Sequence, residues 1–381
     1  MQPMQEGEGA RAPLAGVTVV EFAGIGPGPF CGMLLADLGA TVIRVDRPGS
    51  WSDTPSESTL RAYRGDVMGR SKLSIALDLK DPASRPVVEA LLSMADALIE
   101  GFRPGVMERL GLGPAEAHAI NPALVYARMT GWGQTGPLAP RAGHDLNYIS
   151  VSGVLSMIGL AGGPPVIPLN LVGDFGGGGM YMAFAISAAL VSTRASGRGC
   201  VIDTAMSEGA ATLASMIFGM RGTGSWKDER GANLLDGGAP FYSVYRCADG
   251  GYLGVAALEP QFYLALVERL GVAGERAFSS QSDRSTWPEM RERLISIFSG
   301  APVSHFETLF DGLDACAFPV YGPEEAMAHP HNRARSAFIE LEGVAQPAPG
   351  PIIDGRRPTT PTAPPYPDEH RRSVLEMIGL A

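Results

Sequence analysis

Two short segments hold the residue types best suited to chemistry. His144 stands in Gly143-His144-Asp145-Leu146-Asn147-Tyr148. Asp174 ends Asn170-Leu171-Val172-Gly173-Asp174 and precedes Phe175 and four glycines, Gly176 to Gly179. An imidazole and a carboxylate in glycine-framed polar stretches can move a proton on and off a carbon from two sides. Imidazole titrates near working pH and needs little tuning to act as a base. Each residue also has a plainer reading, His144 as a solvated loop histidine and Asp174 as a helix N-cap. The glycines weaken a helix start. What they offer in return is close backbone approach to a ligand and N–H groups aimed at an anion, such as an enolate oxygen. Glu259, in Leu258-Glu259-Pro260-Gln261, either orients His144 across a cleft or serves as a first-turn helix carboxylate. Asn233 and Asp236 fall in a loop that would line such a cleft.

Two further signals concern phosphates. Gly24-Ile25-Gly26-Pro27-Gly28 follows a predicted strand, and Asp46 ends the next one, as in a dinucleotide fingerprint. The third glycine is missing, and Pro27 and Pro29 remove backbone donors. A tight strand-to-helix turn fits better than a nicotinamide site. Basic residues group at Arg44, Arg47, Arg61, Arg64, Arg70, Lys72, Arg103 and Arg109. They either neutralise phosphates at the strand ends or form a solvated rim.

The elements that must position these residues alternate. Apolar runs predict strands at Val17–Glu21, Thr41–Val45, Leu73–Leu77, Ala97–Glu100 and Leu124–Met129. Helices lie between them, one starting at Asp81-Pro82, so the expected class is α/β with a mostly parallel, Rossmann-like sheet. A long helix is expected from Asp174 to about Arg194 and a second over Met206–Met220. Hairpin strands flank Ala248–Gly251, and helices follow near Pro260–Leu270, Trp287–Phe298 and Ser304–Leu313. The expected organisation is a flexible arm at 1–13, a large domain at 14–200 and a linker helix at 201–225. A small α+β domain at 226–330 and a C-terminal segment at 331–381 returning to the large domain complete it. The last part includes a proline-rich extended stretch, Gln346–Pro367, and a short helix after Asp368.

Composition narrows the class. The chain has 381 residues, 45% hydrophobic and 18% charged, with a formal net charge of −10, which fits a globular protein and argues against general nucleic-acid binding. The cysteines Cys31, Cys200, Cys247 and Cys316 are scattered, so no metal site is expected and a reduced, cytoplasmic setting is. The N-terminus lacks the features of a signal peptide. The apolar stretch Met180–Val191 is too short to span a membrane.

Several long stretches, in order, resemble the family III CoA-transferase superfamily and, within it, the α-methylacyl-CoA racemases. They are Gly24–Pro29, Val42–Pro48, Tyr126–Gly136, Gly143–Tyr148, Asn170–Gly177, Asn233–Pro240 and Glu259–Tyr263. The resemblance runs from Leu14 to about Pro351. It implies a Rossmann-like large domain, a smaller domain, and an interlocked homodimer with the active site between domains and subunits. It also implies 2-methylacyl-CoA thioester substrates and no cofactor, CoA being part of the substrate. His144 and Asp174 take the two acid/base positions, Glu259 pairs with the histidine, and Asn170 with the aspartate. Contacts to CoA are implied for Arg47, Ala76, Leu77, Asp78, Leu79, Gly101, Phe102, Arg103 and Arg109, and for Gly143, Asp145, Leu146, Asn147 and Tyr148 beside His144. Three departures are visible: the extension at 1–13, Cys200 where glutamine is common, and Trp51–Asp66. The resemblance leaves two alternatives, a transferase with Asp174 as nucleophile and a non-catalytic acyl-CoA-binding protein. In the transferases the histidine is absent, so the intact His144 motif favours racemisation.

Overall fold

The computed structural model describes residues 12–49 and 56–381; most of the expected N-terminal arm, and part of Trp51–Asp66, lie outside them. Six strands form one sheet: β1 (Thr18–Phe22), β2 (Thr41–Asp46), β3 (Lys72–Ala76), β4 (Ala97–Glu100), β5 (Val125–Thr130) and β6 (Cys200–Ala205). Their order is β3-β2-β1-β4-β5-β6, with every pairing parallel. A parallel sheet is covered on both faces and needs near-continuous apolar runs. Val19, Val20, Val42, Ile43, Leu98 and Ile99 supply them and are buried. The strand order reverses between β1 and β4. At such a point an open α/β sheet forms a crevice beyond the carboxyl ends of its strands.

The chain divides into two compact units. The sheet unit comprises the described residues up to Ser152, then Leu169–Leu213 and Arg333–Ala381. The second unit comprises Gly153–Pro168 and Ala214–Asn332. The segment 153–168 thus clusters with the second unit, where the sequence reading leaves it in the large domain. Within the second unit, β7 (Tyr242–Arg246), β8 (Tyr252–Ala256) and β9 (Ala317–Pro319) form an antiparallel sheet. Phe241, Tyr263, Trp287, Phe298 and Phe306 fill its core. Arg230 ties 153–168 into this unit by donating to the Ser156 and Gly163 carbonyls at 2.8 and 2.5 Å.

The structure corrects several expected elements. Strand β6 extends the sheet beyond the five expected strands, and Met206–Met220 is two helices, Met206–Leu213 and Ser215–Gly222. The proline-rich C-terminal stretch opens with the second strand of a hairpin, β10 (Phe338–Leu341) with β11 (Val344–Pro347). The long helix begins before Asp174. It runs Leu171–Ser196, 26 residues, long and apolar enough by length and composition to cross a membrane, which corrects the shorter estimate from Met180–Val191. One side of it, Met182, Ala183, Ile186 and Leu190, packs into the core of the sheet unit.

Candidate active site

The turn after β1 and the residues after β4 and β5 meet at the crevice. They line a cavity of about 380 Å³ together with Gly143, His144, Tyr148 and Asp174. A second cavity, about 580 Å³, lies at the ends of β1 to β3 and is lined by Arg47, Leu77, Asp78, Leu79, Lys80 and Phe102, among others. Phe22 and Phe102 line both cavities. All of these residues belong to the sheet unit.

One helical turn organises the histidine side. His144 is the N-cap of the helix Asp145–Val151, with extended backbone. Its N–H donates to Asn147 Oδ1 at 3.1 Å. The Tyr148 hydroxyl donates to the Gly143 carbonyl, and the Tyr148 ring packs edge-on against Trp132 with centroids 4.8 Å apart. Gly131 and Gly143 are required here, because a Cβ on either would lie 2.0 or 2.7 Å from the Tyr148 ring. His144 itself is exposed.

The same turn fixes the carboxylate side. Buried Asp145 accepts from the backbone N–H groups of Gly173 and Asp174, both at 2.7 Å, through one carboxylate oxygen. These N–H groups open the segment Leu171–Met180, which winds as a π-helix before continuing as an α-helix. Such segments are rare and recur at functional sites. Asn170, at its start, donates from Nδ2 to Asp174 Oδ2 at 3.2 Å. Asp174 is therefore inside the first turn, and Asn170 holds the cap position. Burial pushes the Asp174 carboxyl above the usual carboxylate range; the Asp145 charge pushes the same way, while Asn170 and His144 pull it back.

The glycine run has a different job from the one expected. Gly177, Gly178 and Gly179 are buried. A Cβ on Gly177 would lie 2.4 Å from Ala210 N, and one on Gly179 2.6 Å from the Pro27 carbonyl oxygen. These glycines let the segment press against the helix Met206–Leu213 and the start of the helix Pro27–Asp37. The expected oxyanion donors are reduced accordingly, since Asp145 takes the Asp174 N–H.

The expected CoA contacts divide. Arg47, Leu77, Asp78, Leu79, Gly101, Phe102, Arg103, Gly143 and Tyr148 line one cavity or the other. Ala76, Arg109, Asp145, Leu146 and Asn147 do not. The Ala76 backbone is engaged instead by Asp368 and Arg371, at 2.7 and 2.6 Å. Much of the basic grouping is also spent internally. Arg44 pairs with Asp46 at 2.9 Å, Arg70 with Asp37 at 2.5 Å and Lys72 with Glu21 at 2.6 Å, while Arg64 lies over the Tyr366 ring at 4.1 Å. Asn233 and Asp236 brace their own loop, Asn233 Nδ2 donating to Asp236 Oδ2 at 2.8 Å. Glu259 is an exposed N-cap of the helix Pro260–Arg269 in the second unit, and its expected role rests on the resemblance. Arg141 lines the smaller cavity beside His144. Sequence reasoning missed it, because nothing in its surroundings marks it.

The Asp145 arrangement gives a direct test. Asp145→Ala leaves two backbone donors unsatisfied in a buried setting. It is expected to cost about 2–4 kcal/mol in denaturant unfolding.

The sequence and fold agree on a class. The chain belongs to CoA-transferase family III, whose sequence pattern matches residues 14–371. Among individual proteins it is similar to the alpha-methylacyl-CoA racemase of Mus musculus, 45% identical over 97% of this chain and 94% of that protein. It is 43% identical to the alpha-methylacyl-CoA racemase of Homo sapiens, with the same coverage. A CAIB/BAIF family protein from Brucella suis, known from its crystal structure, superposes with a TM-score of 0.80 at 26% identity, over 97% of this chain and 100% of that one.

Proposed function

We propose that the protein is an isomerase that interconverts (2R)- and (2S)-2-methylacyl-CoA thioesters. The observation that carries this reading is the presence of His144 and Asp174 on the lining of one cavity. The similarity to two racemases supports it.

The chemistry uses the chain's own groups. The thioester carbonyl acidifies the α-carbon proton. One base removes it, the electron pair moves into a planar enolate, and the conjugate acid of the other base returns a proton to the opposite face. His144 and Asp174 exchange roles with the direction of reaction. Asp174 suits the acid role because its raised pKa keeps a proton available closer to neutrality. Arg103 and Arg141 put positive charge on the cavity lining, which favours an anionic intermediate over the neutral thioester. The larger cavity, with Arg47 and Lys80, is the part we assign to the nucleotide end of CoA. No metal or redox cofactor enters these steps. Exposed Met180, Tyr181, Phe184 and Val191 on the long helix support the expected homodimer.

The test is α-proton exchange in deuterated water with a single epimer of a 2-methylacyl-CoA. Label at C2 together with appearance of the other epimer is the expected result. Neither exchange nor inversion over a panel of acyl groups would sink the reading. Transfer of CoA to an added free carboxylate, lost in Asp174→Ala and kept in His144→Ala, would replace it with the transferase.

A further inference from the structure

Beneath the turn after β1 lies a buried ion pair that proton transfer does not use. Lys72 Nζ, at the start of β3, donates to Glu21 Oε2 on β1 at 2.6 Å, and neither side chain is exposed to solvent. The same Nζ donates to the Pro29 carbonyl at 2.9 Å. Gly32 makes the room, since a Cβ there would lie 1.8 Å from Glu21 Oε2. Apolar residues of similar volume commonly replace such a pair without loss of stability, so stability is a poor account of it.

Its connection outward is a better account. Pro29 lies in the first turn of the helix Pro27–Asp37, directly after the Gly24–Gly26 turn, and this stretch touches the Asp174 segment at two places. A Cβ on Gly26 would lie 3.5 Å from Asp174 Oδ2, and a Cβ on Gly179 would lie 2.6 Å from the Pro27 carbonyl oxygen. The ammonium of Lys72 therefore ties a sheet strand to the wall that the Asp174 carboxylate faces. An apolar side chain at 72 would fill the space but could not hold two acceptors.

We propose that the Glu21–Lys72 pair is a positioning device for the reaction, fixing the Pro29 carbonyl and through it the Gly26 turn against the Asp174 carboxylate. This rests on Asp174 acting as an acid/base residue.

The experiment compares wild type with Glu21→Leu/Lys72→Met and with Lys72→Gln. Leu and Met keep the volume and remove both charges. Gln is shorter and cannot span both acceptors. The readouts are thermal unfolding and the kcat and KM of α-proton exchange. Both variants are expected to fold, Lys72→Gln with lower stability because it leaves Glu21 buried without its cation, each with KM near that of wild type and kcat lower by about tenfold or more, the scale of a small misplacement at a reacting centre. A folded variant with the kcat of wild type overturns the proposal. Failure of both variants to fold also overturns it, because the pair is then structural. Wild type without exchange activity is a separate outcome; it removes the proposed function and is read before any variant.

Discussion

Asp174→Asn is expected to abolish interconversion of the two epimers while one of them still exchanges its α-proton with solvent. The proposed mechanism has two bases of different kind. Without the carboxylate, His144 can still deprotonate the epimer that presents its proton to the imidazole, and it can return a solvent-derived proton to the same face. Inversion needs the second group and is lost. The loss should be about 10²–10⁴-fold, the usual contribution of a positioned acid or base. His144→Gln should show the converse, with exchange confined to the other epimer. The measurement is deuterium incorporation, resolved by epimer. If either variant still inverts the centre at the wild-type rate, the two-base assignment is wrong.

The same substitution has a stability signature. Burial holds the Asp174 carboxyl above its usual range, so the fold disfavours its charged form. That contribution to stability is complete below the unfolded pKa and is lost as pH rises through the folded one. Asparagine has no charge to lose. Asp174→Asn should therefore unfold at a higher temperature than wild type at neutral pH, and the difference should vanish in acid.

Gly209→Ala is expected to do the greatest damage to the fold for a single added methyl group. Its Cβ would lie 1.8 Å from the Gly177 carbonyl oxygen and 2.6 Å from the Gly177 carbonyl carbon. Both are backbone atoms inside a helix and cannot swing aside. The substitution normally gains roughly 0.5–1 kcal/mol in a helix; here it must force two helices apart, at a cost expected to exceed about 4 kcal/mol. Gly219→Ala is the control. It lies in the helix Ser215–Gly222 with nothing within 4 Å of an added Cβ, so thermal unfolding should show no loss.

The parts of the fold that were legible in the sequence are those where burial forces a simple pattern. Strands β1 to β5 are buried on both faces, and their apolar runs stand out despite the buried Glu21, Arg44, Lys72 and Arg128. Strand β6 does not, because Cys200, Val201 and Asp203 are exposed at the sheet edge and the apolar run is diluted. β9 has only three residues, too few for a period. The single helix expected over Met206–Met220 breaks at Ala214, where the unit boundary falls, yet its composition continues across the break. At the site, residue types and flanking motifs singled out His144 and Asp174, which the structure brings to one cavity. The π-helical start and the role of Asp145 were not legible, because both depend on a hydrogen bond between residues 28 positions apart. The glycine run was visible, but glycine beside a ligand and glycine beside a second helix look the same in one dimension.

The adjacency of His144 and Asp145 has a further consequence. Under the proposed mechanism one residue is a base, and its neighbour in the chain grips the backbone that carries the other, so two hydrogen bonds to the Asp145 carboxylate couple the two proton-transfer groups. On the same mechanism, this coupling would act as a gauge for the gap that receives the α-carbon. Sequence drift in the acyl-contacting walls can change which thioesters are accepted, while the gauge stays as it is. Altering the gauge itself would take a coordinated change at 144, 145 and the start of the long helix.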